Sequence, residues 1–470
     1  MNRKQPRRSY GMAHTSPSVR RWTLLATLAV LALIAAACGA PGGEEPVAGE
    51  DIGVDESPDD SAAEEDQETD AAEEEEATGE PIEIGFLAST TGTAASSGED
   101  MVRGWDLYWE LNGDVVAGRE IVTIHEDTAG DPAIGLNRAR RLVENEDVKL
   151  VVGPLFANVG YAVAEYMTGT GIPNFHPVAS SDDLTQRGRL ENVLRVAGWT
   201  SSQTTHPFGQ WAYDQGYERI LTICSDYAFG HETCGGFANT FTDAGGEIVE
   251  QLWNPIGTQD FGTYMAQIQA ADADAVFALQ VGADSVRFVE SWSSFGLKDT
   301  LPLLGGETLL DQSLLRNMGP EAEGLISTGK FVEGRDEQAT QEFVEAFDEA
   351  YGDLPSYYAS VSYIAAQWTA QALEEVDGDI EDVDAFLEAV RGLEFESPGG
   401  PMSLDEYDNP IQNVYVREVQ TRDDGRMWNV PTETFEGVSQ FWEYDPEEFL
   451  SCPVYSRDYQ GAGVFPEGCG

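Results

Sequence analysis

Lysine is almost missing from this 470-residue chain: Lys4, Lys149, Lys298 and Lys330 stand beside 22 arginines. All bases together number 26 against 84 acids, a formal net charge of −58. A chain so short of positive charge offers no surface for phosphate backbones or anionic headgroups, which excludes nucleic-acid binding and electrostatic adsorption to lipid. Histidine is scarce too. His14 lies in the basic leader, and His125, His176, His206 and His231 fall in separate segments without a nucleophile motif or paired metal-ligand spacing. Carboxylates are too abundant to mark an acid–base pair. The chain therefore reads as no enzyme, with no metal or cofactor site, and His176, at a predicted strand end, is the histidine placed to approach a ligand. No apolar run reaches the ~20 residues of a membrane-spanning helix.

What is present is unevenly distributed. Residues 1–43 hold six bases and no acid, whereas 18 of the 37 residues from 44 to 80 are Asp or Glu. Residues 81–470 keep 66 acids against 20 bases. Such a surface stays soluble in high salt; a high-GC genome that favours Arg, Ala, Gly and Glu codons gives the same composition.

The basic start leads into 22–37, sixteen residues without charge, which fits the apolar core of a signal peptide. It ends Leu33-Ile34-Ala35-Ala36-Ala37-Cys38-Gly39, small residues before a cysteine, resembling a bacterial lipoprotein signal in which Cys38 is lipidated. A plain cleaved signal is the alternative, and Arg20-Arg21 leaves both Sec and twin-arginine export open. Two acyl chains on Cys38 suffice for lasting attachment. The acidic tract lacks the apolar periodicity needed to fold and reads as a spacer. Export makes disulfides plausible for Cys224, Cys234, Cys452 and Cys469. Three pairings exist; Cys224–Cys234 and Cys452–Cys469 close the shortest loops, and a zinc site is the alternative.

From residue 81 onward, short apolar runs alternate with amphipathic stretches. Strands are predicted at 82–87, 121–125, 148–152, 172–175, 219–224, 247–252, 275–279 and 301–304. Helices are predicted at 98–112, from Asp131 to about 144, and at 230–243, 261–270 and 285–295, with a later one through Phe343, Phe347 and Tyr351 that stops at Gly352. This rhythm means parallel sheets covered by helices. About 390 residues are too many for one such sheet, so two lobes are expected. Open parallel sheets bind ligands beyond the carboxyl ends of their strands. The loops there, Ser89–Gly98, Gly153–Asn158 and His176–Ser181, offer free backbone N–H groups suited to a carboxylate.

In order and spacing, Thr91-Gly92…Gly98…Gly104, Gly153-Pro154, Ile172-Pro173…Ala179-Ser180…Leu184-Thr185, Asp226…Phe229-Gly230 and Gly305-Gly306-Glu307 resemble the leucine/isoleucine/valine-binding type of periplasmic binding protein. These are type I substrate-binding components of ABC transporters, and the likeness runs from 82 to about 417. It implies an α/β fold of two doubly wound parallel-sheet lobes joined by a three-crossing hinge. Lobe 1 would be 81–202 plus 331–450 and lobe 2 would be 203–330. A signal peptide (1–37) and a lipidated, acidic tether (38–80) would precede them, and a tail (451–470) would pack near the hinge.

The resemblance also implies a site. Ser97, Ala157, with Asn158 substituting for the family's usual hydroxyl, and Val178-Ala179-Ser180 would hold a ligand carboxylate. Glu307 would meet an ammonium. Phe229, Gln280 and Tyr363 fall where the family places side-chain contacts. The expected ligand is an amino acid, branched-chain or otherwise apolar, delivered to ABC permease subunits. The departures at Ala157, Phe229 and Gln280 leave aromatic acids, short amides or urea open, and a sensor of the same fold is the other alternative. A monomer without cofactor is implied, tethered by lipid to the outer face of the cytoplasmic membrane.

Overall fold

Seven residues, Ile82–Ala88, open the fold as a strand with almost every position buried, as a strand covered on both faces must be. The computed structural model describes residues 77–461. The signal peptide, Cys38, the acidic tract through residue 76 and Cys469 lie outside the described residues, and with them the expected Cys452–Cys469 pair.

The first sheet holds β1 (Ile82–Ala88), β2 (Val115–Val116), β3 (Arg119–Asp127), β4 (Leu150–Val152), β5 (Asn174–Phe175) and β6 (Val193–Leu194), in the order β2-β3-β1-β4-β5-β6. All pairs are parallel except the β2–β3 hairpin. Helices α1 (Ala95–Asn112), α2 (Pro132–Asn145) and α3 (Ala157–Thr168) form its crossovers. Asp131 caps α2 by accepting from the Ala133 and Ile134 N–H groups, with Pro132 at the first helical position.

The chain then crosses at 195–204 into α4 (Thr205–Asp214) and the second sheet. Its strands β7 (Arg219–Ser225), β8 (Glu247–Asn254), β9 (Ala275–Leu279), β10 (Leu303–Gly305) and β11 (Ile326–Gly329) are parallel neighbours in the order β11-β10-β9-β7-β8. Helices α5 (Ala228–Asp243), α6 (Gly262–Ala270), α7 (Ala283–Ser294) and the short α8 (Gln312–Leu315) lie between them. Cys224 at the end of β7 is disulfide-bonded to Cys234 on α5, with Cα atoms 6.5 Å apart.

A second crossing after β11 leads to α9 (Gln338–Tyr351), α10 (Tyr357–Glu375) and α11 (Val383–Gly392). These return to the first sheet. Gly104 of α1 sits so close to α10 that an added Cβ would stand 2.0 Å from the Ala359 carbonyl oxygen, and Phe386 of α11 stacks on Phe175 of β5 at 6.0 Å. The chain crosses a third time into β12 (Phe395–Ser397), β13 (Gly400–Leu404), β14 (Pro410–Thr421) and β15 (Met427–Val438). Strand β14 pairs antiparallel with β11, and β15 with β14. Strands β12 and β13 extend the same sheet beyond β14, so residues 395–438 lie on the second sheet, a correction to their expected place in lobe 1. A six-residue helix, α12 (Pro446–Ser451), lies in the tail. No described helix is long and apolar enough to cross a membrane.

Candidate functional site

Each sheet reverses its strand order once, between β1 and β4 in the first and between β7 and β9 in the second. A doubly wound sheet opens a crevice beyond the strand ends at that point. Here the two crevices face each other across one small cavity of about 20 Å³, nearly closed in this arrangement of the lobes. The first lobe contributes Ala94 after β1, Leu155, Phe156 and Ala157 after β4, and Val178 and Ser180 after β5. Tyr227 and Phe229 after β7, Val281 after β9 and Thr308 after β10 come from the second. Tyr357 and Tyr358, the first two residues of α10, complete the wall.

The N-terminal turns of α1, α3, α5 and α7 end at this wall, and none carries a side-chain cap. Helices α4, α6 and α9 lack one too, whereas α2, α8, α10, α11 and α12 are capped by Asp131, Asp311, Ser356, Asp382 and Asp445. Uncapped N-terminal N–H groups favour an anion. Glycine lets the first turns approach the strand ends: a Cβ at Gly98 would stand 2.1 Å from the Ser89 carbonyl oxygen, and one at Gly230 would stand 1.9 Å from that of Ser225.

No carboxylate, amine or guanidinium lines the cavity. Burial pushes the phenols of Tyr227, Tyr357 and Tyr358 well above their usual range, so they remain neutral. Tyr357 and Tyr358 stack at 4.0 Å, and Trp199 of the first crossing packs edge-on against Tyr357 at 5.0 Å. The lobes are in contact around the cavity. The Ala283 N–H donates to the Thr93 carbonyl at 3.1 Å, Ser97 and Ser313 share a hydrogen bond of 3.1 Å, and Arg316 pairs with both Asp100 and Asp353.

Of the residues expected from the sequence, Ala157, Val178, Ser180 and Phe229 line the cavity together. The others stand apart from the wall. Ser97 is buried at the lobe contact on Ser313. Ala179 is turned into the protein, its carbonyl accepting from Arg195 at 2.6 Å. Asn158 is exposed, because one residue further along α3 turns the side chain ~100° around the axis. Gln280 exchanges two 2.8 Å hydrogen bonds with Asn254, so its amide is spent and Val281 makes the wall. His176 is buried against Asn174 at 2.7 Å, off the cavity. Tyr363 packs on Tyr108 and Phe343 and lines a separate surface hollow with Leu111 and Asn112. Sequence reasoning missed Tyr227, Tyr357 and Tyr358; Ser356, a good N-cap just before the tyrosine pair, was the available signal.

Glu307 is buried beside the wall rather than in it. Its Oε1 accepts the Lys330 N–H at 2.9 Å, its carbonyl accepts from Arg417 at 2.6 Å, and Oε2 has no hydrogen-bond partner. Burial raises its pKa, against the opposing charges of Lys330 and Arg417. The Lys330 ammonium donates to the Ala197 carbonyl at 2.8 Å and lies 3.8 Å over the Trp199 ring.

Buried acids give the fold an unusual pH dependence. Burial pushes Asp100 up to about 6 and Glu333 up to about 7, and raises Asp182 and Glu232, which face each other with Asp183, Arg195, Ser201 and Ser202 around them. The folded state then binds protons that the unfolded chain has released, so stability falls as pH rises through this window. Buried His176 and His206, held down to about 3, act oppositely, losing stability as pH falls below their unfolded value near 6.5. Lys330, which burial holds well below the usual lysine range, opposes the acids as the histidines do, gaining stability as pH rises.

A family model described as periplasmic binding protein matches residues 81–426. The chain belongs to that family. It is 30% identical over 365 residues to Leu/Ile/Val-binding protein homolog 6 of Brucella melitensis, covering 77% of this chain and 93% of the relative. An ABC transporter substrate-binding protein from Sphaerobacter thermophilus superposes with a TM-score of 0.73 at 35% identity, over 77% of this chain and 99% of that one. A solute-binding protein from Rhodopseudomonas palustris BisB5, in complex with 3,4-dihydroxybenzoic acid, gives 0.73 at 28% identity, over 77% and 98%. The binding protein is thus a substrate-binding component of an ABC transporter, of the leucine/isoleucine/valine-binding type. It acts outside the cytoplasm, carries a small molecule to the permease and is not an enzyme.

Proposed function

We propose that this protein captures a small aromatic carboxylate between its lobes and hands it to an ABC permease from a lipid tether on Cys38. The composition of the wall carries this reading: Phe156, Tyr227, Phe229, Tyr357 and Tyr358 surround the cavity, and no ionised side chain joins them. An aromatic ring buries its faces against such walls. Its carboxylate needs matched donors, since a buried charge without partners is prohibitively costly. The N–H groups at the starts of α1, α3 and α5 and the Ser180 hydroxyl supply them, whereas the Thr308 hydroxyl already donates to the Gln280 carbonyl at 2.6 Å. The Rhodopseudomonas relative, crystallised with an aromatic acid, supports the same class.

A second reading, an apolar amino acid, is favoured by one observation: Glu307 Oε2 lies buried without a hydrogen-bond partner and would suit an α-ammonium. Glu307→Gln separates the two. If the ligand is an aromatic carboxylate, benzoate affinity measured by calorimetry stays within about twofold, because no ammonium is lost. If an amino acid is bound, leucine affinity falls about tenfold, the scale of a charged hydrogen bond. Loss of benzoate binding in this variant would reject the proposed role of the wall.

A further inference from the structure

The family match ends at residue 426, yet the described chain continues through β15 into a segment, 439–461, that touches both lobes. On the first lobe, Arg187, in the loop between β5 and β6, reaches into this segment. Its Nε donates to the Cys452 carbonyl at 2.6 Å and its Nη2 to the Phe449 carbonyl at 2.9 Å, with the guanidinium 5.4 Å over the Phe449 ring. Thr185 of the same loop donates to Gln440 at 3.3 Å. On the second lobe, the Tyr455 hydroxyl meets His206 of α4 at 3.0 Å and accepts from Asn239 of α5 at 2.8 Å. Its ring fits against Gly235, where an added Cβ would stand 2.5 Å away. Tyr444 donates to Asp243 at 2.7 Å, and Arg457 to Asp226 at 2.9 Å.

Asp226 directly precedes Tyr227, whose ring walls the cavity, and its other oxygen holds His231 at 2.8 Å. The segment therefore grips the loop before β6, the end of α5 and the residue leading into the ligand wall at once. It does so in the same structure in which Thr93 meets Ala283 and Ser97 meets Ser313 across the lobe contact. The loop that carries Arg187 also meets α5 directly, the Asp182 N–H donating to Glu232 at 3.1 Å, and the segment's ties at both ends reinforce that contact between the lobes.

We infer that residues 439–461 form a strap across the hinge that holds the two lobes toward their closed arrangement, with Arg187 as its anchor on the first lobe and Tyr455 and Arg457 as its anchors on the second. The inference rests on lobe closure, not on which carboxylate is bound. A protein whose closed state is favoured before ligand arrives binds more tightly in proportion to that population.

The test uses the full chain with Tyr455→Phe/Arg457→Gln and, separately, Arg187→Met. Small-angle scattering without ligand should show a larger radius of gyration in both variants than in the unaltered protein. Benzoate titration should show affinity weakened about fivefold, as the closed fraction falls. A radius of gyration equal to that of the unaltered chain, in whichever variants remain folded by circular dichroism, would overturn the strap. Scattering needs no ligand, so a protein silent toward benzoate would count against the aromatic-carboxylate reading alone, and the strap would still be decided.

Discussion

Gly282→Ala should give a folded protein that no longer closes on its ligand. Gly282 precedes α7 with φ 55° and ψ −143°, and the next N–H reaches the Thr93 carbonyl of the other lobe at 3.1 Å. A Cβ here would stand 2.2 Å from that oxygen and 2.8 Å from its carbon, well inside van der Waals contact. Backbone on both sides leaves no flexible side chain to yield. The clash exists only while the lobes are together, so the methyl penalises closure itself. The unusual backbone angles add a local strain of about 1–3 kcal/mol that is present in either arrangement. We expect benzoate affinity to drop about 100-fold, equivalent to ~2.7 kcal/mol, with scattering showing separated lobes and circular dichroism a native helix content. Unchanged affinity would mean that the Thr93–Gly282 contact plays no part in binding.

Arg195→Met should cost about 3–5 kcal/mol of stability, the scale of stripping one partner from a buried charge cluster. Arg195 is wholly buried after β6. It donates to the Ala179 and Ser181 carbonyls, both at 2.6 Å, and to Thr185 at 3.2 Å. Asp182 and Glu232 are the first two acids whose charge it offsets. Without the guanidinium, the backbone acceptors on either side of Ser180 lose their donors while two carboxylates remain buried together. Ser180 would then shift from the cavity wall, so ligand affinity should fall with stability. Chemical denaturation reads the first effect and calorimetry the second; a loss below about 1 kcal/mol, the worth of one ordinary hydrogen bond, would show that the cluster is held by other means.

The parallel core was legible because its strands are short apolar runs between turn residues. Strand β9 occupies Ala275–Leu279, the predicted span, and Gly352 ends α9 as read. Helix α10 was invisible to periodicity because most of its residues are buried, which leaves no polar stripe to set the phase. Strands β14 and β15 were misplaced for a different reason. Their alternation is readable, but the choice of β11 as partner is a contact between segments some ninety residues apart, about which local pattern is silent.

The site divides in the same way. Ala157, Val178 and Ser180 lie in loops that strand ends single out in a doubly wound sheet, and Phe229 came from the family resemblance alone. Tyr363, expected at the site from the family resemblance, lies on the same helix as the wall tyrosines, α10. Five or six residues beyond Tyr357 and Tyr358 it points to another face, at ~100° per residue, and its ring meets Tyr108. Glu307 and Gln280 show the limit of motif reasoning. Their partners come from elsewhere in the chain, Lys330 just after β11 and Asn254 at the end of β8, and only the assembled fold shows one Glu307 carboxylate oxygen and the Gln280 amide engaged.

The most direct test of the account is calorimetric titration of the unaltered protein with benzoate and with leucine under the same conditions. The aromatic wall free of ionised side chains predicts saturable, one-to-one binding of benzoate, with the negative heat-capacity change of apolar burial, and no heat from leucine. Saturable binding of leucine with none of benzoate would contradict it and return the site to Glu307 and an amino acid.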